Sequence, residues 1–260
     1  MEPLLGRNAF PGPTIDVGAS GATFAGEAAF EGCIAIAHWL RADVERLLPR
    51  DLELAANVSP DADVHPVVFV FGQQTQGAWI WGGLTLPIGL VYHEFLIGVP
   101  FVNRRDGRML HTYIPRMYAS NSSVVLDGNL RYGLSKELAE MRWWGSTFVL
   151  TTKQSTLLFH AVVESEGRST STRGTTLAAG AVAQIFSLPI LGRMGAGHYV
   201  CSYFGWDLAP ASVRSAAAYL SIDAPLVGGL EPRVFHAAAG GAITVRNMKW
   251  QLSWPVPCRF

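Results

Sequence analysis

Charge is what this sequence has least of. Asp, Glu, Lys and Arg make up 15% of its 260 residues, against about a quarter in an average soluble domain. The 20 basic and 20 acidic residues cancel. No basic field exists to draw in a phosphate backbone, so no nucleic-acid partner is expected. Disorder is excluded as well, because 49% of the residues are hydrophobic and a disordered chain needs low hydrophobicity and high net charge. Zero net charge does little to keep copies apart, which predicts a homo-oligomer that hides part of the apolar excess.

Cysteine is equally sparse. Cys33, Cys201 and Cys258 are odd in number, far apart and without C-x-x-C spacing, which predicts three reduced thiols and a cytoplasmic protein. The opening MEPLLGRNAFPGP carries no basic region followed by an apolar core, so no secretory signal is expected. Two stretches without charge, residues 66–92 and 174–192, are broken by Gln73, Gln74, Gln76 and Pro87, and by Gln184 and Pro189. A span needs about 20 strongly apolar residues; these read as core or oligomer interface, and no membrane partner is expected. The histidines (His38, His65, His93, His111, His160, His198 and His236) include no pair at helical ligand spacing. H-E-x-x-H, paired C-x-x-C, G-x-G-x-x-G, Walker and G-x-S-x-G patterns are absent too, so neither a metal nor another cofactor is predicted.

What is present reads as strands and turns. Residues 1–30, rich in Gly, Ala and Pro, read as an extended segment ahead of the fold. Trp39, Leu40, Val44, Leu47 and Leu48 recur near helical spacing, predicting a helix over residues 37–48 that Pro49 stops. Residues 66–71, 88–102, 109–118, 147–152, 156–164, 197–204, 216–223 and 243–254 read as strands. A short helix begins near Asn121 or Ser122, either of which can cap it, and ends near Gly128; a second covers residues 177–186. The strands are many and do not alternate with helices in βαβ units. The fold class predicted for residues 1–260, read as one domain, is therefore α+β, with a strongly curved or closed antiparallel sheet and a few peripheral helices.

Lysine is the scarcest cation: Lys136, Lys153 and Lys249 are the only three. Composition alone leaves Lys136 either a nucleophile in an apolar setting or, more ordinarily, a solvated surface charge. Its surroundings bear on the choice. The chain reads Tyr92-His93-Glu94, then Met117-Tyr118, Asn121, Gly128 and Ser135-Lys136-Glu137-Leu138. In order and spacing this resembles the acetoacetate decarboxylase family, which has a Tyr-x-Glu element, a strand ending in Met-Tyr, a short Asn-containing helix with a Gly-rich turn, and a Pro-Lys-Lys-Leu segment. The segment 48–54 is also similar.

The resemblance implies that Lys136 is a Schiff-base lysine and Glu94 the pocket carboxylate. It also makes Tyr92 and Tyr118 candidate pocket hydrogen-bond donors, although aromatic core residues with a satisfied hydroxyl are commoner. The departures are informative. Glu137 replaces the second lysine and Ser135 the proline. The family's early arginine and second glutamate fall near Phe30 and Phe71, which would line a more apolar pocket. Arg116 is a candidate substitute for that arginine, or a solvent-facing strand residue. Residues 78–86 (AWIWGGLTL) look inserted, adding bulk near the pocket.

An ordinary lysine, with a pKa of about 10.4, is less than roughly 0.1% free amine at neutral pH. An amine nucleophile therefore needs an apolar pocket or a neighbouring cation; acetoacetate decarboxylase is the established example of that tuning. Without the second lysine, desolvation is left to do it, and Glu137 is harmless only if it points the other way. The expected function is a Schiff-base-forming lyase or aldolase–dehydratase acting on a keto compound more apolar than acetoacetate. Two alternatives stand beside it: a non-covalent cyclase, isomerase or dehydratase of an apolar natural-product-like metabolite, and a ligand-binding protein without chemistry. The expected partner in each case is a small molecule, a carbonyl compound in the first.

Overall fold

The computed structural model describes residues 23–165, 172–195, 197–207, 211–228, 230–238, 241–258 and 260. Three long strands run through the middle: β1 (Phe24–Leu40), β3 (Val64–Trp81) and β4 (Leu84–Arg104), with the short β2 (Leu52–Leu54) along β4. Beyond β4 the sheet continues through β5 (His111–Ala119), β10 (Ile190–Arg193), β11 (Tyr199–Ser202) and β16 (Val256–Pro257). Beyond β1 it continues through β15 (Ala242–Ser253), β13 (Ser212–Ile222), β9 (Leu157–Ser165), β8 (Thr147–Thr151) and β7 (Glu140–Trp144). Three short strands branch off: β6 (Lys136–Leu138) from β5, β12 (Phe204–Asp207) from β15 and β14 (Arg233–His236) from β13. The helices are α1 (Arg41–Glu45), α2 (Ser122–Tyr132) and α3 (Thr172–Phe186).

The result is one curved sheet of 16 strands whose edges, β16 and β7, do not meet. The α+β class with a strongly curved sheet is as expected; closure is not observed. Most pairings are antiparallel, but β6 and β10 run parallel to β5, which makes the sheet mixed.

Both faces of the central strands are buried, so both parities are apolar. Cys33, Ala35, Ala37 and Trp39 of β1 join Val67, Phe69 and Phe71 of β3 in one core. Phe30, Ile34 and Ile36 join Val68 and Val70 in another, covered in part by Val182 and Ile185 of α3.

Three expectations are corrected. The helix read over residues 37–48 is mostly strand and turn. Residues 37–40 complete β1 in register with β3, as in Leu40 opposite Val64, and only Arg41–Glu45 is helical. The apparent 3.6 spacing merged alternate strand positions with the turn after them. The extended segment read over residues 1–30 gives way to β1 at Phe24, where Ala25, Ala28, Ala29 and Phe30 are buried; residues 1–22 lie outside the described residues. Two of the three cysteines are not free thiols: Cys201 and Cys258 form a disulfide across 57 residues. Pairing of β11 with β16 sets Cys201 opposite Val256, two positions from Cys258, a closeness that chain distance conceals. Cys33 is free and fully buried, and burial pushes its thiol pKa far up. No helix of the described residues is long and apolar enough to cross a membrane.

Candidate active site

Lys136 begins β6, whose parallel pairing sets it beside Met117 of β5. Helix α2 delivers the chain to that point. Asn121 caps it, its Oδ1 accepting from the backbone N–H groups of Ser123 and Val124 at 2.9 and 3.2 Å. Gly133 ends it in the left-handed conformation with φ of 62°. Asn129, one helical position past Gly128, then clamps the lysine backbone. Its Oδ1 accepts from Lys136 N and its Nδ2 donates to Lys136 O, both at 2.8 Å. The lysine side chain runs over Gly128, where a Cβ would come within 3.1 Å of Lys136 Cδ and Cε. Gly128 therefore lies inside the helix as the lysine's bed, and does not mark the helix end predicted from the sequence.

The Lys136 side chain is 6% exposed and that of Glu94 9%, with Nζ 3.1 Å from Oε2. Glu94 reaches the same space from β4, where Leu90, Tyr92, Glu94 and Leu96 alternate into one cavity. Its second oxygen, Oε1, accepts from Gln74 Nε2 at 3.3 Å. Trp250 Nε1 donates to Gln74 Oε1 at 2.7 Å. An indole N–H can only donate, so it fixes which end of the Gln74 amide faces Glu94. The relay Trp250–Gln74–Glu94–Lys136 thus spans β15, β3, β4 and β6.

The cavity has a volume of about 340 Å³. Phe30, Met248, Trp250 and Ile185 contribute apolar wall, and Trp79 and Ile88 close it from the β3–β4 hairpin. Among the described residues that line it, Lys136 is the only cation. Arg131 of α2 does not line it, but stacks its guanidinium 5.2 Å from the Trp79 ring and 4.7 Å from that of Trp254, which ties the hairpin to the helix. Tyr92 is half-buried on this wall. Burial first, then the charges of Glu94 and Asp127, hold its hydroxyl well above the usual tyrosine range, so it stays a protonated donor.

The structure brings Lys136, Glu94 and Tyr92 together and leaves Phe71, Tyr118 and Arg116 elsewhere. Phe71 has the wrong parity on β3. It packs into the opposite core against Trp143, Phe148 and Phe159, with ring centroids 5.8, 5.0 and 5.7 Å away, while Val70 and Gln74 face the cavity. Tyr118 is also in that core and donates to Leu226 O at 3.1 Å. Burial is the main reason its hydroxyl pKa rises to about 12. Arg116 would follow Thr112 and Ile114 into the cavity by simple alternation. A register shift opposite Ile97–Val99 changes the parity, so Met117 enters instead and Arg116 pairs with exposed Glu137. Glu137 therefore points away from Lys136. His93 alternates with Glu94 and faces a separate polar cleft with Trp143 and Arg214. Gln74, Trp250 and Asn129 were not anticipated; polar glutamines inside a buried apolar strand were the available signal for the first.

No protein-family model matches this chain, and no curated protein sequence does. Solved structures do. An acetoacetate decarboxylase from Legionella pneumophila superposes with a TM-score of 0.59 at 12% identity, covering 100% of this chain and 96% of that one. The enduracididine biosynthesis enzyme MppR, complexed with the condensation product of pyruvate and imidazole 4-carboxaldehyde, gives 0.59 at 14% identity over 90% and 88%. An acetoacetate decarboxylase-like enzyme from Sphingomonas wittichii RW1 gives 0.55 at 10% identity over 91% and 95%. The fold is that of the acetoacetate decarboxylase-like enzymes, and the chain is a divergent example of it.

Proposed function

We propose that this chain is an enzyme that activates an apolar aldehyde or ketone as a Schiff base on Lys136, with Glu94 moving the protons. The observation that carries the reading is the buried Nζ–Oε2 contact of 3.1 Å on the wall of a largely apolar cavity. Glu94 accepts a proton from Nζ along that hydrogen bond. The free amine adds to the carbonyl carbon, Glu94 returns that proton to the oxygen and then carries a second one from the nitrogen to it, and water leaves as the iminium forms. The iminium then draws electrons from the bond beside the former carbonyl carbon, which serves decarboxylation, aldol condensation and dehydration alike.

No second cation among the described lining residues is available to hold a substrate carboxylate. This favours aldol condensation with dehydration of an apolar carbonyl compound over decarboxylation of a small keto acid. The condensation product held by MppR on the same fold agrees with that choice. The ion pair itself favours one competing reading: Lys136 stays protonated and only steadies Glu94, which acts as the base in a non-covalent isomerisation or cyclisation.

Borohydride reduction in the presence of a panel of apolar ketones and aldehydes separates the two. The expected result is a stable mass adduct on Lys136, lost in Lys136→Ala and in Lys136→Arg, with turnover abolished in both. Undiminished turnover in Lys136→Ala would overturn the Schiff-base reading.

A further inference from the structure

The face of β5 turned away from the cavity carries a second constellation that the chemistry above does not use. His111 opens β5, Cys201 lies in β11 and Cys258 follows β16. One ligating atom from each lies within 4.8 Å of the others. None of the three lines the cavity, which β5 reaches through Thr112 and Ile114. His111 is 0% exposed, and neither of its ring nitrogens has a hydrogen-bond partner. A fully buried imidazole with no well-formed hydrogen bond, only the nearby carbonyls of Val102 and Met109, is uncommon and calls for a ligand or another explanation. The Phe260 ring packs against it with centroids 5.5 Å apart, and Tyr199 in turn lies 5.8 Å from Phe260.

We infer that this cluster is a redox-gated metal site: when the Cys201–Cys258 disulfide is reduced, both sulfurs and the His111 imidazole bind one zinc-type cation. Two thiolates and an imidazole form a soft donor set that selects zinc or copper(I) over magnesium or calcium. Ligand atoms around a tetrahedral zinc stand roughly 3.5 Å apart, given metal–sulfur bonds of about 2.3 Å. Breaking the S–S bond frees both sulfurs to take up that spacing, and the 4.8 Å envelope closes by about 1 Å.

The carbonyls of Val102 and Met109 lie near the His111 ring. Either can take the N–H of the nitrogen left free, the arrangement that commonly orients a metal-bound histidine. The balance is complete. A cellular dithiol supplies two electrons and two protons, ending as its own disulfide, and the chain gains two thiols. Binding of the dication then releases the two thiol protons. Three ligands from the chain leave a fourth position for water.

The test uses the full-length chain, reduced anaerobically with a phosphine, and does not depend on the Lys136 chemistry. Cobalt(II) is expected to bind at one equivalent with thiolate-to-metal charge-transfer absorption, which zinc displaces. The unreduced protein should bind none. Zinc should slow alkylation of Cys201 and Cys258 in the reduced wild-type chain at least tenfold, a measurement that needs no variant. Cys201→Ser should abolish the cobalt band, and His111→Gln should weaken binding at least tenfold. Equal alkylation rates with and without zinc, or no cobalt band after reduction, would overturn the proposal. An unchanged affinity in a folded His111→Gln chain would do the same.

Discussion

A methyl group at position 128 would meet the Lys136 side chain at 3.1 Å from both Cδ and Cε. That is closer than nearly all real side-chain contacts, so the lysine tail has to shift. Alanine also suits a helix interior better than glycine by about 1 kcal/mol. Gly128→Ala is therefore expected to keep or raise the melting temperature while lowering kcat at least tenfold. Thermal unfolding and turnover, measured on the same preparation, check both halves. Glu94→Gln keeps the shape and the contact with Gln74 but cannot carry the proton, and a loss of about 10²–10⁴ in kcat is expected. Glu137→Lys should leave the pH profile of turnover where it is, because Glu137 faces Arg116 at the surface and not the lysine amine. A displaced profile would mean that the two neighbouring side chains share the cavity after all.

At the scale of elements, parity decides which residues reach the site, and parity is where sequence reading succeeded and failed. Lys136 and Glu94 are legible as neighbours only through the family resemblance, because composition alone reads the lysine as a surface charge; alternation adds that His93 and Glu94 face opposite sides. Phe71 is misplaced, and Arg116 stays open between pocket and surface, because register is a tertiary property. A bulge opposite Ile97–Val99 turns Arg116 out, and the doubly buried β3 offers no polar face from which its parity could be read. Asn129 was hidden for another reason: its partner is the backbone of Lys136, and a backbone leaves no mark in composition.

The same buried strand carries a pH response. His65, at the start of β3, is 0% exposed and lies 2.8 Å through Nε2 from Pro100 O. Burial, with smaller contributions from Arg41 and His38, lowers its pKa to about 4. The unfolded chain, with an ordinary histidine at about 6.5, binds more protons between those values. Stability from this residue is thus complete above about pH 6.5 and is lost as the pH falls toward 4, on the order of 3 kcal/mol in all. His65→Gln keeps a donor for Pro100 O and removes the titration. Urea unfolding from pH 7 to 4 should show a shallower decline for the variant than for the parent; parallel curves would sink the assignment.

For the whole molecule, the argument starts from zero net charge and ends on the β3–β4 hairpin. The base of that hairpin closes the cavity with Trp79, Ile88 and Leu90. Farther toward its tip the same hairpin gives Trp81, Leu84 and Leu86 to the surface, Trp81 paired with Leu84, and Trp81 is 75% exposed. Because burying apolar area contributes about 25 cal/mol per Å², this strip is where self-association of a chain with no net repulsion is expected. A second copy carries the same strip and no opposing charge, which makes it the expected occupant. We expect sedimentation velocity to find the parent chain self-associated at micromolar concentration. Trp81→Glu combined with Leu84→Glu should shift it toward monomer. Because the hairpin's base is cavity wall, the dissociated variant should also show a raised KM with kcat less affected, the hairpin being free to move while Lys136 and Glu94 stay on their own strands. A parent chain that remains monomeric at high concentration would overturn the association. An unchanged KM in the dissociated variant would show that the hairpin holds its cavity face without a partner, the Arg131 stack on Trp79 and Trp254 being sufficient.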